Sequence, residues 1–118
     1  MVLLWLLLAC VPPAPVPASE GVVHTFEGLF ASGAGCIPKG DLRTLTGRVE
    51  VSPFGKGSDG AKVVTDDEAW VVSYGVDDLL RSLHGHRVEA TGRACDKQGG
   101  AVGGPHFDLA RLVDLGRP

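Results

Sequence analysis

The sequence has no excess of basic residues, and this absence argues against a large class of functions. Its 11 Lys and Arg residues are outnumbered by 14 Asp and Glu residues, which gives a formal net charge of -3 at pH 7. Domains that bind nucleic acids by neutralising phosphates usually carry a clear basic excess. We therefore expect no nucleic acid among the partners of this protein.

The sequence also lacks the spaced motifs of common enzymes and metal sites. It contains no Cys-x-x-Cys redox pair, and the glycine-rich segment 55–60 lacks the GxxxxGKS/T spacing of a phosphate-binding loop. The acidic segments 66–68 and 77–78 lack the Asp-x-Asp-x-Asp-Gly spacing of a calcium loop. No cysteine has a histidine partner at a spacing known from cysteine nucleophiles. We therefore expect no catalytic residue, no metal and no cofactor.

One pair of histidines is the exception, because His84 and His86 are separated by a single glycine and two such imidazoles can chelate a metal. Gly85, however, is expected at the end of a helix, where the helix dipole favours a positively charged histidine. No third ligand follows at a suitable spacing. Surface or capping histidines are therefore the preferred interpretation. A small secreted hydrolase or metal-dependent enzyme that uses His84 and His86 is the alternative.

The apolar segment at residues 1–10 is too short to cross a bilayer, which takes about 20 residues. Its length and lack of charge are typical of the hydrophobic region of a secretory signal peptide. The basic segment that usually precedes this region is missing, so either translation starts upstream of Met1 or the signal is atypical. A buried core strand is the alternative to an export signal.

Leu7, Leu8, Ala9 and Cys10 resemble the lipobox of bacterial lipoproteins, in which a small residue precedes a cysteine that is lipidated and becomes N-terminal after cleavage. The resemblance implies lipid attachment at Cys10 and an exported protein anchored to a bacterial membrane, facing the periplasm or the exterior. An ordinary cleaved secretory signal is the alternative.

A proline-rich segment, residues 11–21, follows the lipobox, and four of its residues are proline. Proline disfavours helices and strand ladders, so this segment is expected to be extended and semi-rigid. Such a tether would hold a folded domain away from a membrane surface. We therefore divide the chain into a signal segment at 1–10, a linker at 11–21 and a domain at 22–118.

The segment 76–94 has the clearest local pattern and predicts a short helix, a glycine stop and a strand. Apolar residues at i, i+3, i+4 and i+7 form one helical face: Val76, Leu79, Leu80 and Leu83. Asp77 and Asp78 fall in the first turn, where negative charge complements the helix dipole. Gly85 stands where a left-handed cap is expected. In the strand from 87 to 94, alternate residues share one face: Val88, Ala90, Gly92 and Ala94.

Strands and turns are predicted for most of the remaining domain, because aromatic residues make up only 6% of the chain and glycines number 17. We expect an extended arm or edge strand over 22–30 and a loop over 31–41. The next strand has one buried face, made by Leu45, Gly47, Val49 and Val51. Ser52 and Pro53 are expected to end this strand, and the turn-rich segment 54–60 follows it.

A hairpin and a final strand are predicted for the residues on either side of the 76–94 segment. The hairpin joins 61–65 to 69–74. Its second strand places Trp70, Val72 and Tyr74 on one face and Val71 and Ser73 on the other. Shared parity with Val72 favours a core position for Trp70 and Tyr74 over an exposed stacking platform. Residues 107–115 suit a strand with Phe107, Leu109, Val113 and Leu115 on one face, although a helix is the alternative.

This order of elements resembles the OB-fold, a five-stranded Greek-key barrel. The segments that carry the resemblance are 45–49, 70–72, Leu79, 83–85 and 88–93. The resemblance implies a mainly β fold, a small barrel with one short α-helix between strands 3 and 4, of the kind found in bacterial envelope proteins. A small open α+β sheet with the helix across one face is the alternative.

Three cysteines remain to be assigned, and lipid attachment at Cys10 would leave Cys36 and Cys95 as a pair. An exported chain meets an oxidising compartment, and a small domain gains from a covalent link. We therefore predict a Cys36–Cys95 disulfide. Two independent thiols are the alternative.

These features together favour a non-enzymatic, lipid-anchored cell-envelope protein with a small OB-like domain. Its expected partners are the membrane, through the lipid anchor, and an unknown protein, glycan or small ligand. A structural accessory subunit of an envelope complex is a further alternative, beside the hydrolase or metal-dependent enzyme.

Overall fold

The computed structural model describes residues 21–30, 35–55 and 57–118. They form seven strands in one sheet and one short helix. The elements are β1 (Val22–Thr25), β2 (Cys36–Pro38), β3 (Arg43–Gly55), β4 (Ser58–Val64), β5 (Ala69–Ser73), α1 (Asp78–Ser82), β6 (Arg87–Lys97) and β7 (His106–Asp114). The predicted mainly β fold with a short helix between two strands is confirmed, with seven strands in place of the expected five.

The signal segment, most of the linker and the lipidation residue Cys10 lie outside the described residues. Within the described part, no helix has the length and apolar character needed to cross a bilayer.

The strand pairings form a closed cycle. The sheet order is β1-β7-β5-β4-β3-β6-β2, and β6 also pairs with β7. The pairing therefore passes from β7 through β5, β4, β3 and β6 and returns to β7. All pairs are antiparallel except β5 with β7, which are parallel and meet at Val71 and His106. The two short strands lie outside the cycle, β1 on β7 and β2 on β6.

Several predicted limits are wrong, among them the start of β4 at Ser58, inside the segment 54–60 that was expected to be a turn. The segment 31–41 was expected to be a loop, but Cys36–Pro38 pairs with Cys95–Lys97 because β6 continues three residues beyond Ala94. Ser52 and Pro53 were expected to end β3, which instead continues to Gly55. Proline lacks an N–H for the ladder, and the register shifts between Pro53 and Gly55, where a bulge accommodates it.

The two faces of the cycle are separated by strand alternation, and the inner face forms the main hydrophobic core, which we call the inner core. Its fully or nearly buried members are Leu45, Val49, Ala61, Val63, Trp70, Val72, Leu80, Leu83, Val88, Ala90, Phe107, Leu109 and Leu112. The predicted buried faces of β3 and β6 are confirmed at Leu45 and Val49 and at Val88 and Ala90. Helix α1 adds Leu80, and the residue at its C-cap adds Leu83; each is 2% exposed.

Helix α1 is shorter than its apolar spacing suggests and begins after Asp77. Asp77 is the N-cap, and its carboxylate accepts a hydrogen bond of 2.8 Å from the backbone N–H of Leu80. The prediction that placed Asp77 inside the first turn is therefore wrong by one position, while Asp78 lies there. Gly85 has φ +85°, which confirms the predicted left-handed stop.

The final strand is confirmed over His106–Asp114, but a bulge changes which residues face inward. Thr91 pairs with Arg111 and Gly92 pairs with Leu109, so Ala110 has no partner on β6. Phe107 and Leu109 enter the inner core as predicted, whereas Leu112 takes the place expected for Val113. The alternation assumed for this strand is therefore wrong beyond Leu109.

Two glycines inside long strands, Gly47 and Gly92, lie where neighbouring strands approach closely. A Cβ at Gly47 would overlap the carbonyl oxygen of Val64, and a Cβ at Gly92 would overlap that of Asp108. These contacts lie on two different pairs of strands, and Gly92 adjoins the bulge. The physical role of both glycines is thus to let one backbone lie against another.

Candidate functional site

A second buried layer lies on the outer face of the sheet. Val71 on β5 and Cys95 on β6 both pair with His106 on β7, so the three residues form a row across three strands. They are 0%, 3% and 6% exposed. Their chain neighbours Trp70, Val72 and Phe107 belong to the inner core, and alternation therefore points this row away from it. Because these residues are nevertheless buried, other side chains must cover the row on its solvent side.

Four rings provide part of this cover, and we call them the outer aromatic cluster: Phe30, Phe54, Tyr74 and His106. The Tyr74 and His106 rings are stacked, with centroids 5.6 Å apart. Phe30 and Phe54 each meet Tyr74 edge-on, at 6.0 and 5.5 Å between centroids. Edge-on and stacked arrangements are the ones that aromatic quadrupoles favour.

Tyr74 was predicted to share the core face with Trp70 and Val72, and this prediction is wrong. Strand β5 ends at Ser73, so alternation no longer determines the direction of the Tyr74 side chain. It packs with Val71 and Cys95 on the outer face. Trp70 is in the inner core as predicted, where its ring meets Phe107 at 5.7 Å.

A directed chain of hydrogen bonds runs through Tyr74 and His106. His106 Nδ1 lies 3.1 Å from the carbonyl oxygen of Gly104, which can only accept, so Nδ1 carries the proton. In the neutral ring Nε2 is then an acceptor, and Tyr74 O–H donates to it over 2.6 Å. The Tyr74 oxygen in turn accepts the backbone N–H of Val102 at 2.9 Å.

The environment of His106 favours the neutral imidazole. Burial lowers the pKa of His106, the bond to the Gly104 carbonyl raises it, and the positive charge of Lys97 lowers it, with a net result below the ordinary value. The neutral form is also the one that accepts from Tyr74, so the charge state and the hydrogen-bond chain agree.

The predicted disulfide is present between Cys36 and Cys95, with the two Cα atoms 5.3 Å apart. It links β2 to β6 and places its sulfur atoms beside the outer aromatic cluster. The bond therefore fastens the short edge strand to the same layer that covers the outer face.

A cavity of about 480 Å³ opens beside the outer aromatic cluster. One wall is the loop 98–105 between β6 and β7, and others come from β5, β6 and the residues around them. Its lining includes charges of both signs: Lys39, Glu68, Asp96 and Lys97. Lys39 and Asp96 form an ion pair of 3.0 Å, and the Lys97 ammonium lies 5.3 Å from the centre of the Tyr74 ring. The cavity is thus polar and close to neutral, with Trp70 and His106 also lining it.

The two histidines of the His84-Gly85-His86 segment have separate partners. His84 Nδ1 accepts the backbone N–H of Val51 at 2.9 Å, and His86 Nδ1 donates to Asp114 Oδ1 at 2.9 Å. Across the described ranges, no three His, Cys, Asp or Glu side chains are grouped so as to hold a metal ion. Both histidines therefore have structural roles, one at the end of α1 and one beside β7.

Asp114 is ionised more readily than an ordinary aspartate. Burial by itself raises its pKa, but hydrogen bonds from Gly116 N–H and from His86, with the nearby charges of His86 and His24, outweigh this, and the net pKa is lowered. This pair lies away from the cavity and contributes to holding the end of β7.

Sequence reasoning missed the outer aromatic cluster, because its four rings come from four separate segments and no local period links them. The end of β5 at Ser73, which frees Tyr74 from strand parity, became visible only in the structure, because the sequence predicted this strand through residue 74. No family model, curated protein or solved structure that was compared with this chain matches it. The chemistry of the site therefore has to be argued from its own geometry.

Proposed function

We propose that β3, β4, β5, β6 and β7 form an OB-like Greek-key barrel that serves as a small binding module. The closed cycle of pairings supports a barrel. The insertion of β7 between β5 and β6, which breaks the chain order, supports Greek-key connections. The position of α1, between the third and fourth strands of the cycle, is the one expected for an OB-fold.

The location of the cavity carries the proposed binding role. OB-folds bind ligands at the face of their second and third strands and at the loops after the first and fourth strands. In this chain the corresponding parts are β4, β5, the β3–β4 turn and the loop 98–105. The outer aromatic cluster and the cavity of about 480 Å³ lie at β5 and that loop. Its volume falls within the range of about 300 to 1,000 Å³ that is common for small-molecule sites.

The ligand that this cavity favours is neutral, polar and small, such as a short glycan. Charges of both signs line it, and Lys39 and Asp96 already neutralise each other. A strongly charged ligand would gain little net attraction there and would lose its own hydration. Hydroxyl groups can donate to the carboxylates and accept from the ammonium groups. The ligand would be bound without chemical conversion, so the protein would not be an enzyme.

Binding is testable by presenting the full-length chain, in detergent micelles, to an array of neutral and charged oligosaccharides. We expect selective binding of neutral members. Val102→Trp would fill the cavity and weaken binding at least about tenfold. Val23→Trp, at a residue of β1 that is 46% exposed, is the matched control and should leave binding unchanged. Undiminished binding by Val102→Trp, or selection of anionic members alone, would contradict this role.

The proposed anchor is a lipid on Cys10, which would attach an exported protein to a bacterial membrane and leave the domain outside the cytoplasm. Hydrophobic insertion of acyl chains supplies the attachment, and several chains hold far more firmly than one. Cys10→Ser should move the protein from the membrane to the soluble fraction and abolish labelling by radioactive palmitate. Labelling that persists in the variant would reject the anchor.

The alternative metal-dependent activity at His84 and His86 is less favoured, because the two side chains have separate partners. Elemental analysis of the purified protein tests it directly. We expect no stoichiometric metal. A metal present in the wild type and lost in the His84→Ala, His86→Ala double variant would favour a metal-dependent protein over the proposed binding module.

A further inference from the structure

The loop 98–105 is held differently at its ends and in its middle. At its ends backbone groups bond to one another: Gln98 N–H donates to the Gly35 carbonyl at 2.9 Å, and the Pro105 carbonyl accepts from Val71 N–H at 2.8 Å. The Lys97 ammonium also donates to the Gln98 carbonyl, at 2.7 Å. In the middle, Val102 N–H and the Gly104 carbonyl bond to the side chains of Tyr74 and His106. The bonds of the middle therefore depend on the neutral imidazole of His106, which can gain a proton.

Adding a proton to His106 disrupts its hydrogen-bond chain, because the donors and acceptors along the chain no longer match. Nδ1 already carries a proton toward the Gly104 carbonyl, so the new proton goes to Nε2 and points at the Tyr74 hydroxyl. Tyr74 can no longer donate to His106. Its oxygen would have to accept from both His106 and Val102, while its own proton is left without the acceptor it had. Tyr74 is half-buried, and a hydroxyl that loses its acceptor there is less favourable than one that keeps it.

The charged groups around His106 do not remove this conflict. Lys97 on β6 carries the same sign as an imidazolium and lies over the Tyr74 ring. Two carboxylates line the same cavity, Asp96 on β6 and Glu68 before β5, but Asp96 is paired with Lys39, which follows β2. Tyr74 is the remaining titratable group in contact with His106. With His106 only 6% exposed, burial and Lys97 oppose the charged ring.

We propose that Tyr74 and His106 form an acid-sensitive latch that fastens the loop 98–105 beside the cavity and releases Val102, in the middle of this loop, when His106 is protonated, while the bond to the Gly104 carbonyl is kept. As regulation of ligand binding, this inference rests on the function proposed above, but the latch itself is defined without a ligand. His106 binds a proton more weakly in the latched loop than in the released one, where its pKa returns toward about 6.5. The latch is therefore fully stable above about pH 6.5 and is lost as the pH falls through the lowered pKa.

The first test is backbone hydrogen exchange of the full-length chain as a function of pH, expressed as protection factors so that the intrinsic pH dependence of exchange cancels. We expect the protection of the Val102 amide to fall at least about tenfold as His106 titrates. The Val71 amide, which bonds to the backbone of the same loop, should keep its protection. Resonances of His106, identified by their absence in His106→Gln, report its titration in the same samples.

Two variants separate the latch from general instability. Tyr74→Phe keeps the ring and removes the hydroxyl, so the Val102 amide should be weakly protected at every pH. His106→Gln cannot gain a proton, so its Val102 protection should no longer change between pH 7 and 4. A Val102 amide whose protection is unchanged while His106 titrates, or a pH response that persists in His106→Gln, would overturn the latch.

Greater exposure of the cavity wall after release of Val102 is tested by a measurement that needs no ligand. The chain has two tryptophans, and Trp5→Phe leaves Trp70, which lines the cavity, as the single fluorophore. Acrylamide quenching of Trp70 should increase about twofold as His106 is protonated. Unchanged quenching would show that protonation of His106 does not expose Trp70 further and would overturn this part of the inference. Failure of every oligosaccharide to bind would reject the proposed ligand class and leave these measurements unaffected.

Discussion

The two faces of β5 bury their side chains by different means. Trp70 and Val72 point into the inner core, where the contacts are almost entirely apolar. Val71, between them, is covered by rings, a disulfide and a loop whose polar atoms all need partners. Burial of the inner face is favourable because it removes apolar area from water and fills volume. Burial of the outer face is favourable only when its hydrogen-bond donors and acceptors are paired with one another.

The two faces therefore differ in how their stability depends on geometry and on pH. An apolar core tolerates any arrangement that fills space, and its free energy grows with buried area. A buried polar network is favourable only when each member is paired, so it depends on geometry and on protonation. The inner core therefore holds the fold together over a wide pH range, while the outer aromatic cluster contains the bonds that depend on a protonation state.

The largest expected effect comes from removing a ring on the inner face. Phe107 is 0% exposed, and Phe107→Ala should lower the free energy of unfolding by about 3 to 5 kcal/mol. Phe54→Ala, on the half-buried outer face, is the matched control and should cost less than half as much. Urea denaturation gives both values. Equal losses would show that the two layers contribute alike and would remove the distinction between them.

Loss of the disulfide should have the next largest effect. Cys36 and Cys95 are 59 residues apart, and closing a long loop restricts the unfolded chain. The Cys36→Ala, Cys95→Ala double variant should lose about 2 to 4 kcal/mol, measured by thermal unfolding. Reduction of the wild type without substitution is the control and should give a similar loss. An unchanged melting temperature would mean that the outer layer does not need its covalent link.

The N-cap of α1 should contribute about 1 kcal/mol to the free energy of unfolding, because it stabilises the helical turn that places Leu80 and Leu83 in the inner core. Asp77→Ala removes the acceptor of the Leu80 N–H, whereas Asp78→Ala removes only a charge in the first turn. Chemical denaturation should therefore show the larger loss for Asp77→Ala. The reverse order would assign the helix start to charge and not to the cap.

The smallest effect is expected at the His86–Asp114 pair, which belongs to neither layer. Because the pKa of Asp114 is lowered, its contribution is present above the ordinary aspartate pKa of about 3.9 and is lost as the pH falls through the lower folded value. Asp114→Asn should remove this acid-linked loss, which we expect to be below about 1 kcal/mol. Stability curves between pH 7 and 2 would measure it. Identical curves for the two proteins would assign the acid dependence to other groups.

The pH ranges of the two histidine contacts also sharpen the comparison. In the proposed latch, His106 loses the hydrogen bond donated by Tyr74 as it gains a proton at a pH below about 6.5, whereas Asp114 loses its partner contact only in stronger acid. The inner core contains no ionisable side chain among its described members. Acid should therefore act first on the outer layer.

The amino-acid sequence by itself determined the local elements of this protein. Alternating apolar residues marked the buried faces of β3 and β6, and the spacing from Val76 to Leu83 with Gly85 marked α1 and its end. The pairing of Cys36 with Cys95 was also accessible, since Cys10 had a separate interpretation. Each of these inferences uses residues within a few positions of one another or a short choice among cysteines.

Only the tertiary structure decided which residues form the outer layer and how they bond. Tyr74 and His106 are 32 positions apart, and Tyr74 and Val102 are 28 apart. Strand β2 likewise exists only because β6 extends far enough to pair with it, and the bulge at Ala110 redirects Leu112 inward. Side-chain periodicity describes one segment at a time, whereas register, bulges and strand ends are decided by the partner strand. The candidate site depends on those features, and so the sequence could not reveal it.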